Sequence, residues 1–220
     1  MPVQNNTDLV SYRNWTLRIR PAKTEAPRLL LLLHGWTGDE NSLWVFVRNF
    51  PDDFYILAPR GPHPSGQPAG GYSWRPIRSD NQGWPSLDDL RPAADSLITL
   101  IDGYSAEKNL DASQFDVMGF SQGAALANTI SLLHPERIRR AGILSGFVPA
   151  NAEQLIERKP LKGKAIFIAH GSLDETVNIE TARRSMDLLD MAGANTTFCV
   201  DEVGHKVGAH CLRELESFFA

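Results

Sequence analysis

The chain has 220 residues, 42% hydrophobic and 22% charged, and its 22 Lys plus Arg stand against 26 Asp plus Glu for a net charge of −4. That balance speaks against extensive disorder and gives no footing to nucleic-acid binding or a polybasic membrane clamp. The longest uninterrupted apolar run, residues 29–33, falls far short of the ~18 residues of a membrane span, so stable membrane insertion is not expected.

At the amino end, Met1-Pro-Val-Gln-Asn-Asn-Thr-Asp8 has neither the basic nor the apolar region of a secretory leader, which points to a cytoplasmic protein. Residues 11–20 alternate, with Trp15, Leu17 and Ile19 on one face and Thr16, Arg18 and Arg20 on the other. This predicts one half-exposed strand near a sheet edge. Residues 29–33 are apolar at every position, as in a strand covered on both faces. Short apolar runs recur at 54–58, 115–118, 141–144, 165–169 and 197–200.

Residues 61–85 interrupt the pattern with Gly61, Pro62, Pro64, Gly66, Pro68, Gly70 and Gly71, then Tyr72, Trp74, Pro76 and Trp84. A loop this long is mobile or functional, and its aromatics suit the wall of a binding pocket or a contact between two copies of the chain. Helical spacing follows. Leu90, Ala94, Leu97 and Ile101 share one face, as do Ile179, Ala182, Met186 and Leu189. Ser86 and Asp89 resemble a helix cap, although Pro92 puts the regular helix a few residues later, and Pro135 closes a helix over 122–134. Strand alternating with helix predicts a single α/β domain over residues 1–220. Its sheet is mostly parallel and twisted, with helices on both faces and an antiparallel strand near the N-terminal edge. Cys199 reads as a buried strand position and Cys211 as a helix position; both are expected to be free thiols.

Gly119-Phe120-Ser121-Gln122-Gly123 matches G-x-S-x-G between a predicted strand and a predicted helix. A serine there sits on a sharp, strained turn with its hydroxyl above the C-terminal edge of the sheet. The helix start behind it offers unpaired N–H groups to a developing oxyanion. A serine hydroxyl needs a base, and the base an orienting acid, in the chain order Ser, Asp or Glu, His. Asp174, in the loop after the penultimate strand, and His205, after the last, fit those positions. Glu175 is the substitute acid and His210 the substitute base. Asp201 and Glu202 are expected only to cap, and His134 points away from the reactive edge. The oxyanion hole would pair the N–H of Gln122 with that of Trp36 in His34-Gly35-Trp36-Thr37-Gly38; His34 itself is expected to fix the loop.

Leu33-His-Gly-Trp-Thr-Gly38, Gly119-Phe-Ser-Gln-Gly-Ala124, Leu144-Ser-Gly146, His170-Gly-Ser-Leu-Asp174 and Gly204-His205 resemble, in order, the phospholipase/carboxylesterase family of small α/β-hydrolases. The family includes bacterial carboxylesterases and acyl-protein thioesterases. The resemblance implies a Ser121–Asp174–His205 triad, Trp36 and Gln122 amides as oxyanion donors, and hydrolysis of carboxylic esters of short to medium acyl length without metal or cofactor. The chain departs from the family at Trp36-Thr37-Gly38, often a small or aliphatic residue followed by Gly-Asp, and at Trp74-Arg75-Pro76, where an Asp often follows the Trp. Both positions bear on substrate preference. Trp36, Tyr72, Trp74, Phe147 and Val177 are the candidate substrate wall. Thioester or lysophospholipid hydrolysis would use the same groups. A non-catalytic binding protein on a hydrolase fold is the alternative from another class.

Overall fold

A computed structural model describes residues 6–77 and 83–220; residues 1–5 and residues 78–82 of the 61–85 loop lie outside the described residues. The chain opens with β1 (Asp8–Tyr12) and β2 (Trp15–Arg20), an antiparallel pair in which Tyr12 faces Trp15. The single alternating strand expected over 11–20 is thus a hairpin. Its turn is Arg13-Asn14, with Arg13 at a φ of 50°, and no glycine marks it. Next come β3 (Arg28–Leu33), a 3₁₀ turn (Trp44–Val47), β4 (Phe54–Pro59) and the two-residue strands β5 (His63–Pro64) and β6 (Tyr72–Ser73). The remainder is α1 (Leu87–Lys108), β7 (Phe115–Phe120), α2 (Gln122–Leu133), β8 (Ile138–Leu144), α3 (Glu153–Ile156), β9 (Ala165–Gly171), α4 (Ile179–Met191), β10 (Asn195–Asp201) and α5 (Ala209–Phe219).

Among the described residues, eight strands form one sheet in the order β1-β2-β4-β3-β7-β8-β9-β10, and β5 pairs with β6 as a separate small hairpin. From β4 to β10 every neighbouring pair is parallel, whereas β2 runs antiparallel to β4. The uniformly apolar β3 follows from this placement. Leu29, Leu31 and Leu33 enter a core shared with α1, α2 and α4, while Leu30 and Leu32 enter a second core with the 3₁₀ turn and α5. Burying both faces removes the polar alternation that an edge strand keeps.

α1 begins at Leu87, not after Pro92. The Ser86 hydroxyl accepts the Asp89 N–H, and the Asp89 carboxylate accepts the Ser86 N–H in a reciprocal cap. That cap fixes the first turn before Pro92 is reached. No described helix is long and apolar enough to cross a membrane.

Cys199 and Cys211 are not free thiols; they form a disulfide between β10 and α5. The strand and helix lie on consecutive elements, and the intervening loop returns the chain so that their Cα atoms are 5.6 Å apart.

Candidate active site

The parallel strands all end on one edge of the sheet, and the loops after β3, β7, β9 and β10 meet there. Ser121 sits between β7 and α2 with φ 53° and ψ −115°, outside the ordinary helix and strand regions. Neighbouring backbone forces this shape. A Cβ on Gly119 would overlap the Gly123 carbonyl, and one on Gly123 would overlap the Leu33 carbonyl. The Ser121 carbonyl accepts the N–H groups of Ala124 and Ala125 at 3.0 and 3.1 Å, and its own N–H donates to Leu144 O at 2.9 Å. The turn is thereby tied to the helix start on one side and to β8 on the other.

Asp174 lies three residues beyond β9 with its side chain fully buried. Its Oδ1 accepts the N–H groups of Thr176 and Val177, each at 2.9 Å. Its Oδ2 accepts the Nδ1–H of His205 at 2.7 Å. A carboxylate only accepts, so this contact puts the His205 proton on Nδ1 and leaves Nε2 as the free base. The His205 ring packs on Phe120, the residue before Ser121, with centroids 5.0 Å apart. The structure thus brings Asp174 and His205 together and sets the imidazole against the serine turn. Among the described residues no hydrogen bond joins the Ser121 hydroxyl to His205. Asp201, by contrast, accepts the Cys211 N–H at the start of α5, and His134 faces Asp95 on α1.

Among the described residues the Trp36 and Gln122 backbone N–H groups donate to no protein acceptor. Their loops are held by a layer behind them. Buried His34 donates from Nδ1 to Gly35 O at 2.8 Å and accepts the Gly61 N–H on Nε2 at 2.8 Å. Burial holds the His34 pKa below its ordinary value, so the ring stays neutral in this role. Trp74 stacks on His34 and donates its indole N–H to His34 O at 2.7 Å. The Gln122 side chain accepts the Trp74 N–H at 3.0 Å, and the Thr37 N–H reaches Tyr72 O at 3.0 Å. Arg60 forms a two-point ion pair with buried Glu40 at 2.7 and 2.8 Å and also donates to the Tyr72 hydroxyl at 3.1 Å.

Of the expected wall, Trp74 is 1% and Val177 2% exposed, so neither presents a surface to a substrate. Both side chains pack into the apolar core beneath the loops. Phe147 is buried beneath Trp84, with ring centroids 4.2 Å apart. Tyr72 is half-buried with Arg60 over its ring. Trp36 is 46% exposed, and its indole N–H donates to Ser65 O at 3.2 Å. Sequence reasoning passed over Leu173, which is 59% exposed beside Asp174, and the clamping role of the Gln122 side chain. The glutamine of the G-x-S-x-G motif was a signal for the second; nothing local marks the first.

A nearly parallel sheet with a serine elbow at its C-terminal edge and a carboxylate–imidazole pair on the two following loops defines an α/β-hydrolase. The chain belongs to the phospholipase/carboxylesterase family, whose sequence profile matches residues 14–220. It is 32% identical to a probable carboxylesterase, SOBER1-like, of Arabidopsis thaliana over 46% of this chain, a match that spans 40% of that protein. A probable carboxylesterase of Oryza sativa subsp. japonica is 28% identical over 86% of this chain and 75% of its own length. Among solved structures, the carboxylesterase from Mesorhizobium loti superposes with a TM-score of 0.80 at 22% identity, covering 97% of this chain and 98% of that one.

Proposed function

We propose that the chain is a serine carboxylesterase that hydrolyses small-molecule carboxylic esters of short to medium acyl length through an acyl-enzyme. The observation that carries this reading is the 2.7 Å contact from His205 Nδ1 to the buried Asp174 carboxylate, with the imidazole packed beside the Ser121 turn. Asp174 holds the tautomer whose Nε2 is basic and stabilises the imidazolium that forms.

Ser121 Oγ attacks the ester carbonyl as its proton passes to His205 Nε2. The hydrogen bond that carries this transfer forms with substrate in place, as such contacts tighten on binding. The carbonyl oxygen becomes an oxyanion held by the undonated N–H groups of Trp36 and Gln122, each contributing roughly 3–4 kcal/mol to the transition state. The tetrahedral species collapses, its C–O bond breaks, and protonated His205 gives its proton to the departing alcohol. Water then repeats the sequence on the acyl-enzyme and restores the Ser121 hydroxyl. The exposed faces of Trp36 and Leu173 flank this chemistry with apolar surface.

A fluorophosphonate tests the assignment, because Ser121 Oγ would displace fluoride and keep the phosphonyl group. The expected result is a single mass increment on Ser121, with Ser121→Ala unlabelled and its kcat on a nitrophenyl ester lower by at least ~10³-fold. Near wild-type turnover by that variant would overturn the assignment. Rates over nitrophenyl esters of increasing acyl length, with a thioester and a lysophospholipid alongside, then read substrate class. The reading expects an optimum at short to medium chains.

A further inference from the structure

One buried titratable side chain at the reactive edge has no part in the chemistry above. His170 is the last but one residue of β9, and its imidazole has no exposed surface. Its Nε2 donates to Val177 O at 2.7 Å and lies 3.5 Å from Asp174 Oδ2. Among the described residues Nδ1 has no hydrogen-bond partner. Val177 in turn donates its N–H to Asp174 Oδ1. The contacts form a short circuit: His170 holds the Val177 carbonyl, the Val177 amide holds one carboxylate oxygen, and the other oxygen is left facing His205.

We propose that His170 is a positioning residue for the acid, its neutral Nε2–H holding the 174–177 turn so that Asp174 Oδ2 is presented to His205. This rests on the triad reading of Ser121, Asp174 and His205. Packing alone is a poor account of a histidine here. An apolar ring would fill the same space without burying an unpaired nitrogen, and buried polar groups are ordinarily satisfied. Burial holds the His170 pKa below its ordinary value, with the neighbouring His205 acting in the same direction and Val177 O and Asp174 opposing. A neutral ring does not compete with the His205 imidazolium for the Asp174 charge. Without the donor the turn loses its anchor, and the carboxylate loses the alignment that fixes the His205 tautomer.

The test uses His170→Gln, whose amide nitrogen falls where imidazole Nε2 donates, against His170→Asn, whose shorter amide does not reach Val177 O, and His170→Phe, which keeps volume and removes the donor. The readouts are kcat and KM on one nitrophenyl ester and the rate of Ser121 modification by a fluorophosphonate, with Tm measured alongside. A misplacement of about 1 Å is worth ~10²-fold. His170→Phe and His170→Asn are therefore expected to lose ~10–100-fold in kcat and in labelling rate, with KM held within about two-fold and His170→Gln within about five-fold of wild type. His170→Phe reacting at the wild-type rate would overturn the proposal. If that variant does not fold, the comparison of Gln with Asn decides, and equal rates for those two overturn it. Wild-type protein that carries no label on Ser121 would instead remove the triad reading itself.

Discussion

Ser121 holds a backbone conformation that few side chains accept, and its neighbours leave it no alternative. The glycines on either side give way to carbonyl groups of the same turn and of β3, so the strain is set by packing of backbone on backbone. A methyl group on Gly123 has no flexible partner to displace. Gly123→Ala is therefore expected to cost about 3 kcal/mol or to prevent folding, read from the urea midpoint and from soluble yield. Stability within 0.5 kcal/mol of wild type would show that the elbow yields more readily than its contacts imply. Gly119, Ser121 and Gly123 are legible in the sequence because they fall together in one five-residue motif, although the carbonyl that crowds Gly123 comes from Leu33 on β3. Trp74 was not. Its burial depends on His34 and Gln122, forty and forty-eight residues away, and an aromatic in a Gly/Pro-rich loop carries the same local signature whether it faces a substrate or a histidine.

At the scale of elements, the segment carrying His205 is closed at both ends. Cys199 and Cys211 lie 12 residues apart, one before it on β10 and one after it on α5, and Asp201 caps that helix by accepting the Cys211 N–H at 2.9 Å. Closing a loop of that length is worth about 3 kcal/mol through the unfolded chain. The Cys199→Ser, Cys211→Ser double variant is expected to unfold at correspondingly lower urea concentration and to be indifferent to a thiol reductant, which should bring wild type down to meet it. A variant as stable as wild type under non-reducing conditions would contradict the crosslink. The order of the main strands and helices is readable from short apolar runs alternating with stretches of helical spacing. Two features were not: the β1–β2 turn at Arg13-Asn14, which has no glycine to mark it, and the pairing of two cysteines whose approach depends on how strand and helix pack. Both are set by tertiary geometry, which short-range patterns do not encode.

Taken whole, the molecule disfavours the charged form of three histidines. Burial lowers the pKa of His34, His63 and His170 in the folded state. Below about pH 6.5 the unfolded chain binds more protons at these positions than the folded chain does, so folding stability declines as pH falls through that range. A second decline belongs to the carboxylates. Burial pushes Glu40 up, but the Arg60 ion pair outweighs it and leaves the carboxyl below its usual range, and the Arg28 contact holds Asp53 low. Their contribution is present above about pH 4.5 and is lost on further acidification. On acidification from neutrality, calorimetric Tm is expected to fall in two stages, the first through the histidine range and the second below about pH 4.5. A Tm unchanged between pH 7 and 5 would show that the imidazoles remain accessible to protons in the folded state.

The opposite rim of the sheet is fastened by arginines. Arg28 grips Asp53 through two nitrogens, and Arg140 donates to the Phe218 and Phe219 carbonyls where α5 finishes. Because every parallel strand runs from that rim toward Ser121, the two borders lie on opposing sides of the globule. A tether anchored along the fastener side would leave the mouth turned to the surrounding liquid, which makes that side the place to attach a bead, a dye or a neighbouring domain.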